Sequence, residues 1–367
     1  MKIIHWIGID DHADKWTIAQ FRGDEDKPAK EFELVPDASG YRKLIKFAKE
    51  LGGEVRIVYE AGPCGYELYR QLTKAGLKCS VAAPSLTPRK PGDRVKTNRR
   101  DAKKLARYLR AGDMLTLIAV PDKERESLRD LVRARHAVQK DLLRNRHQIS
   151  KLVLRYGHRY REGKTAWSKQ FWTWLGKIKL DEQHSQFVLE ERIITHERLL
   201  EQRGRYDEAI EAAAKAPEYA PYVTALTVLR GIDRLSAMTL LSELGDLRRF
   251  KTAPQLMAAI GLVPSESSTG DKTTRFSITK TGNAHVRHIV VEAAWQYQRR
   301  ITNGPTIRGR RKDQPQGLID IAEKCDRRLN RKFHRMTSRG KRSTVAVVAV
   351  ARELMGFVWA IGQIIHP

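Results

Sequence analysis

Apolar and polar residues alternate over short runs at the start of the chain and then shift to a helical period. Residues 3–9 (IIHWIGI), 16–21 (WTIAQF) and 31–35 (EFELV) read as three strands, with the polar turn DDHADK between the first two. GYRKLIKFAKEL (40–51) has its apolar residues at helical spacing. VRIVYE (55–60) is a strand, GYELYRQLTKAGL (65–77) a helix ending near Gly76, and KCSVAA (78–83) a strand closed by Pro84. A basic helix follows over 95–110. Three strands followed by alternating helices and strands predict a mixed α/β sheet over residues 1–121.

From 122 to 216 the pattern becomes that of long helices. Leu128, Arg135, Leu142, Ile149 and Tyr156 recur every seven residues, and Leu131, Val138, Asn145 and Leu152 form a second series. This spacing predicts a coiled-coil seam between subunits, with Asn145 setting its register, or a helix packed inside its own chain. WSKQFWTWLGK (167–177) reads as a helix-packing face. Residues 217–367 are expected to be mainly helical. LRGIDRLSAMTLL (229–241) has the outline of a helix–hairpin–helix, whose tight turn would aim backbone N–H groups at a phosphate, although Asp233 stands where a second glycine is usual. GLVPSESSTGDKTTRF (261–276) reads as a loop. VAVVAVARELMGFVWAIGQII (345–365) is apolar enough for a membrane, but Arg352 and Glu353 near its middle predict a buried helix instead.

Charge changes the picture most. The chain carries a formal +26 over 367 residues, with +7 in 1–121, +6 in 122–216 and +13 in 217–367. An excess spread this evenly attracts polyanions, and nucleic acid is the expected partner. Residues 299–342 hold 15 basic and 4 acidic residues, so Arg310 and Arg311 are expected at phosphates. Cys64, Cys79 and Cys325 are too far apart for a zinc knuckle or a disulfide frame.

Seven of the sixteen residues 95–110 (VKTNRRDAKKLARYLR) are basic, yet Asp101 sits among them. A helix that only gripped phosphate would be weakened by that acid. Asp10 at the end of the first strand and Glu60 at the end of VRIVYE could converge with Asp101, because acids at the ends of adjacent strands meet at one edge. Asn98 lies three residues before Asp101, on the same helix face. A few oxygen ligands suffice for Mg²⁺, and such ions serve phosphodiester chemistry.

GIDD (8–11), YEAGPCGYELY (59–69), RVKTNRRDA (94–102), LRGIDRLSAMTLLSELG (229–245), GLVPSESSTGD (261–271) and SITKTGNAHVRH (277–288) occur in that order. Together they resemble the insertion-sequence transposases that carry an N-terminal RuvC-like DEDD domain and a C-terminal transposase domain with a serine, the bridge-RNA-guided recombinases. The resemblance implies a RuvC/RNase H-like sheet domain (1–121), a helical coiled-coil region for oligomerisation (122–216) and a C-terminal transposase domain (217–367). It places metal ligands at Asp10, Glu60 and Asp101, with Asn98 where the family's KTDxxDA pattern has an acid. It places the nucleophile in 265–269, at Ser268. It implies that DNA is cut and rejoined through a Mg²⁺-assisted serine, under guidance of a non-coding bridge RNA, by a dimer or tetramer on double-stranded donor and target DNA. Lys96, Arg99, Arg100, Lys103, Lys104, Lys272, Arg275, Lys280 and Arg287 would join Arg310 and Arg311 at the backbone. A bacterial cytoplasmic protein, nucleoid-associated when bound to DNA and without a membrane span, is expected. The alternatives are a RuvC-like Mg²⁺ nuclease on branched DNA and a catalytically degenerate nucleic-acid-binding protein.

Overall fold

The alternating segments of the first third become strands, and their register positions everything else in that part of the chain. A computed structural model describes residues 3–88, 97–112, 114–163, 166–269 and 272–365, without the side chains of residues 85, 268, 269, 272, 273 and 275. Lys96 and the side chains of Ser268, Lys272 and Arg275 therefore lie outside the described residues. The chain divides into two compact units, 1–121 and 122–367.

In the first unit, β1 (Ile4–Asp11), β2 (Trp16–Arg22), β3 (Lys30–Leu34), β4 (Glu54–Glu60) and β5 (Lys78–Ala82) form one sheet in the order β3-β2-β1-β4-β5. The first three are antiparallel neighbours, and β4 and β5 run parallel to β1. This mixed sheet is consistent with a RuvC-like domain. Helices α1 (Ala38–Glu50) and α2 (Glu67–Lys74) cover one face, where Ile7, Ile9, Ile18, Ile57 and Tyr59 meet Leu44 and Leu72. Each fully buried leucine there stabilises by roughly 2 kcal/mol. Helix α3 (Asn98–Ala111) covers the other face: Trp6, Ala19 and Phe21 meet Ala102 and Ala106, and Val58 and Ala82 meet Leu105. The approach is close because β1 has a glycine there. A Cβ on Gly8 would stand 2.0 Å from the Ala102 carbonyl oxygen and 2.7 Å from the Ala106 nitrogen.

The second unit is mostly helical: α4 (Lys123–Arg155), α5 (Lys169–Leu175), α6 (Gln183–Ala214), α7 (Ala220–Leu226), α8 (Arg234–Leu244) and α9 (Ala253–Ala259), a hairpin of β6 (Pro264–Thr269) and β7 (Lys272–Ile278), then α10 (Ala284–Ala294), α11 (Pro305–Arg311), α12 (Gln316–Ser338) and α13 (Ser343–Ile364). Helices α4 and α6 lie antiparallel, joined by Arg135–Asp207 at 2.8 Å and Arg146–His196 at 3.0 Å. The heptad positions Val138, Leu142, Asn145, Ile149 and Leu152 are buried. Of the two partners expected for this seam, another subunit or the same chain, α6 of the same chain is the one that covers it. Leu128, Val132, Ile210 and Ala214 at the other end of this pair enter the core that also contains α8, α10, α12 and α13, so 122–216 and 217–367 share one unit.

The tryptophans close the far end of the α4–α6 pair. Trp167, Trp172 and Trp174 surround the buried Phe171 and pack with Ile149 and Leu189. Fully buried His196 lies 4.7 Å from Trp172, ring to ring. Burial, then the nearby Arg146 and Arg203 charges, push its pKa down to about 4. A histidine kept neutral in the fold is protonated first in the unfolded chain, so this contribution to stability is complete above the ordinary histidine range and falls as pH drops from about 6.5 towards 4. We expect the folded chain to lose on the order of 2 kcal/mol through His196 between pH 7 and pH 5. Urea unfolding of the wild type and His196→Gln at both pH values checks this. An equal loss in both proteins would assign the acid sensitivity to other groups.

One C-terminal expectation changes. The 229–241 segment forms a tight helical hairpin, closely packed at its glycine: a Cβ on Gly231 would stand 2.4 Å from the Ala293 carbonyl oxygen of α10. Asp233 accepts from the Ser236 amide at 2.8 Å as the cap of α8. The segment expected as a loop, 261–276, contains the β6–β7 hairpin, whose backbone register sets Ser267 opposite Thr274 and Ser268 opposite Thr273. Helix α13 is long and apolar enough to cross a bilayer by length and composition. Here Val347, Val350, Leu354, Val358 and Ile361 lie in the core, while Glu353 bonds Arg328 at 2.7 Å and Lys332 at 2.6 Å.

Candidate active site

In the parallel pair β1–β4, Ile9 stands opposite Tyr59. Asp10 and Glu60 follow in step at the strand ends, and Glu60 in turn pairs with Ala82 of β5. Gly8 and Val58 face α3, and side chains alternate along a strand, so Asp10 and Glu60 face α3 as well. On the helix, Ala102 lies against Gly8 and Leu105 against Val58. Asn98 is one turn before Ala102, and Asp101 one turn before Leu105. A turn advances about 5.4 Å and two strand residues about 6.6 Å, so the two progressions keep pace. Helix α3 runs opposite to β1, which puts its first turn over the strand ends that bear the acids. Asn98 is placed on the side of Asp10, and Asp101 on the side of Glu60.

Local sequence explains why the helix starts there. The Thr97 hydroxyl accepts from the Arg100 amide at 3.4 Å and caps α3. Asp101 then falls at the end of the first turn, where a carboxylate is favourable to the helix dipole. Asp10, Glu60 and Asp101 are half-buried, and Asn98 is exposed. Across from Asp10, Thr17 is only 3 % exposed and its hydroxyl oxygen has no hydrogen-bond partner. Carboxylate, amide and hydroxyl oxygens are the donor types that magnesium takes. Among the described residues, however, no three of His, Cys, Asp and Glu stand close enough to hold an ion together. The donors share a face and an edge without closing into a ligand cage. The second acid of GIDD is engaged elsewhere. Asp11 accepts from Trp16 Nε1 at 2.8 Å, and burial pushes its carboxyl pKa up.

The basic residues sort by their neighbours. Arg99 and Arg100 are exposed at the start of α3. Lys103 pairs with Glu31 at 2.9 Å, and the Lys104 ammonium lies 5.4 Å from the Tyr108 ring centre. Lys280 is exposed in a turn with φ +55°. Arg287 donates to the Ile260 carbonyl oxygen at 2.8 Å, and Arg310 to that of Ile232 at 3.0 Å. Arg311 departs from expectation. It is buried, with one arm on Asp326 at 2.8 Å and another on the Val228 carbonyl oxygen at 3.1 Å. Those contacts make it a packing residue of α11 and remove it from the phosphate-contact set.

Ser268 lies in β6, opposite Thr273 and one pair from the hairpin end. Near the hairpin root is a group that sequence reasoning missed. Glu243 of α8 has a side chain only 1 % exposed. Its carboxylate accepts from Arg133 at 2.7 and 2.9 Å and from Asn283 Nδ2 at 2.6 Å, with Arg129 3.7 Å away. Burial alone would push its pKa up, but the bonds from Arg133 and Asn283 and the two arginine charges outweigh it and hold the carboxyl below its usual range. Beside it, the His136 ring lies 5.5 Å from His285 and 5.3 Å from His288. Asn283 and both of these histidines belong to the segment SITKTGNAHVRH, but nothing in the sequence pairs that segment with Glu243 or Arg133.

Two family models match the chain. One, a DEDD transposase model of the IS110 type, covers residues 7–158, and the other, described as Transposase IS116/IS110/IS902 family, covers 223–309. A protein of Sinorhizobium fredii named as transposase y4qE is 41 % identical over 331 residues, 90 % of this chain and 81 % of the relative. The transposase for insertion sequence element IS1533 of Leptospira borgpetersenii is 30 % identical over 93 % of this chain and 99 % of its own length. The transposase for IS1111A of Coxiella burnetii is 34 % identical over 27 % of each chain.

Proposed function

The chain belongs to the IS116/IS110/IS902 family of insertion-sequence transposases, enzymes that cut and rejoin DNA, and from that premise we propose that its chemistry runs through a serine nucleophile. In this reading Ser268 is the nucleophile. Asp10, Glu60, Asp101 and Asn98 hold Mg²⁺, and a bridge RNA selects the donor and target DNA. The observation that carries the metal part is the convergence of Asp10, Glu60 and the first turn of α3 on one face and one edge of the sheet. For the serine, the support is its place in a hairpin inside the matched segment 223–309.

The bonds balance without an outside energy source. The Ser268 hydroxyl oxygen bonds to phosphorus as the bond from phosphorus to a deoxyribose oxygen breaks. The serine gives up its proton, and the released sugar oxygen takes one up. A sugar hydroxyl of the other strand end then attacks the phosphoserine and frees the serine, so the phosphoester is conserved. When bound, Mg²⁺ would offset negative charge growing on the phosphate oxygens. Asp10, Glu60 and Asp101 supply its charged ligands, and Asn98 supplies a neutral oxygen in place of a fourth acid. Arg99, Arg100, Lys103, Lys104 and Lys280, together with Lys272, Arg275, Arg287 and Arg310, hold the nucleic-acid backbone, while base pairing to the RNA reads sequence, as in other RNA-guided systems. The proposal places the protein in the bacterial cytoplasm, on the nucleoid when it is bound to DNA.

The test is a trapping assay. The protein, RNA from the element's flank, Mg²⁺ and DNA bearing the element junction are mixed and denatured, and DNA attached to protein is measured. We expect an adduct in the wild type and in Ser267→Ala, and none in Ser268→Ala. Cleaved DNA without an adduct would replace this reading with a metal-dependent nuclease, and binding without either would make the chain a degenerate nucleic-acid-binding protein.

A further inference from the structure

Glu243 is an expensive residue to bury. A lone carboxylate in the interior costs several kcal/mol, and here it is enclosed by partners from two other helices. Arg133 and Arg129 come from α4, and Arg129 also donates to the Ser242 carbonyl oxygen at 3.1 Å. Asn283 comes from the residue that caps α10, its Oδ1 accepting from the Val286 amide at 3.0 Å. Asn283 therefore works in two directions, with its amide nitrogen on Glu243 and its amide oxygen on the helix.

The cap is also the root of the serine hairpin. Gly282, with φ +85°, lies so near α9 that a Cβ would stand 2.0 Å from the Ala259 carbonyl oxygen. Gly261, with φ +68°, would meet the Thr281 carbonyl oxygen at 2.1 Å. Between them, the Lys280 amide donates to the Gly261 oxygen at 3.1 Å and the Thr279 amide to the Val263 oxygen at 2.9 Å. These contacts hold the two strands of the hairpin at their base. The Asn283 side chain links that base to the charged group on α8 and α4.

We propose that Glu243 is a positioning residue for the serine hairpin: clamped by Arg133 and Arg129, its carboxylate fixes the Asn283 amide and so sets the root from which β6 and β7 project. The catalytic consequence rests on the reading of Ser268 as nucleophile. The mechanical claim does not.

The test uses the full chain and two variants. Glu243→Gln removes the charge that the arginines clamp. Asn283→Asp keeps an oxygen for the Val286 amide, so the cap stays, but removes the donor to Glu243 and sets a second carboxylate against it. Hydrogen exchange at the Thr279 and Lys280 amides should quicken by about tenfold or more in each variant, with the amides of α12 and α13 unchanged. The rate of adduct formation at saturating DNA should fall by about tenfold or more, while the DNA concentration giving half that rate holds, because a displaced nucleophile slows the step without weakening the grip on DNA. Unchanged exchange at the hairpin root overturns the proposal. So does faster exchange throughout the unit, which would make Glu243 a general core residue. If Glu243→Gln fails to fold, Asn283→Asp decides. If the wild type forms no adduct, the serine reading fails, and exchange at the root still decides the clamp.

Discussion

Asp101→Ala should abolish cutting and rejoining of DNA, by about 10³-fold or more, with DNA binding changed only a few-fold. Groups that stabilise charge in a transition state carry effects of about that size. Asp101 is one of three half-buried acids at the same sheet edge, one turn along α3 from the leucine that packs over β4 and β5. Removing it takes a negative charge from the edge proposed to hold Mg²⁺, yet leaves Arg99 and Arg100 in place at the helix start. Asn98→Asp is the complementary change. It restores a fourth acid on the Asp10 side, and activity should be kept or raised, with a lower Mg²⁺ concentration at half-maximal rate. A Mg²⁺ titration of cleavage by the wild type and both variants reads all of this. Cleavage that survives Asp101→Ala would rule out a ligand role for that residue, and the acid would then serve only the dipole of α3.

Gly8→Ala should damage the same site through packing. The added Cβ would lie 2.0 Å from a backbone oxygen and 2.7 Å from a backbone nitrogen of α3, and backbone cannot rotate aside as a long side chain does. Helix α3 must lift from the sheet, at a cost of about 3 kcal/mol in the stability of the first unit. Asn98 and Asp101 lift with it, so activity should fall further than the unfolded fraction alone explains. Urea unfolding followed through Trp6 and Trp16 fluorescence, with cleavage measured under conditions where the variant remains folded, separates the two effects. A variant as stable and as active as the wild type would mean that α3 does not sit against Gly8.

The N-terminal sheet is legible because its signal is local. Alternation marks the strands, Gly76 and Pro84 mark ends, and acids at strand ends suggest a shared edge before any contact is known. The heptads at 128–156 are legible as a buried helix face but not as to its partner. Periodicity reports that a face is covered, and only the fold shows that α6 covers it. The serine segment reads as a loop for a related reason: small polar residues suit turns, yet they also pair across strands once a hairpin root is fixed.

What the sequence determined by itself was the period of each element, the net charge and the types of donor atom available at Asp10, Glu60, Asn98 and Asp101. Tertiary structure alone decided which charges are free to meet a phosphate. Arg310 and Arg311 are neighbours in one basic run, yet Arg311 lies buried on Asp326 and Arg310 is only partly covered. It also decided that Glu243, Arg133 and Asn283, far apart in the chain, form one buried cluster. The reason is physical: an ion pair depends on distance and desolvation, and both are properties of the packed chain, which no local pattern encodes.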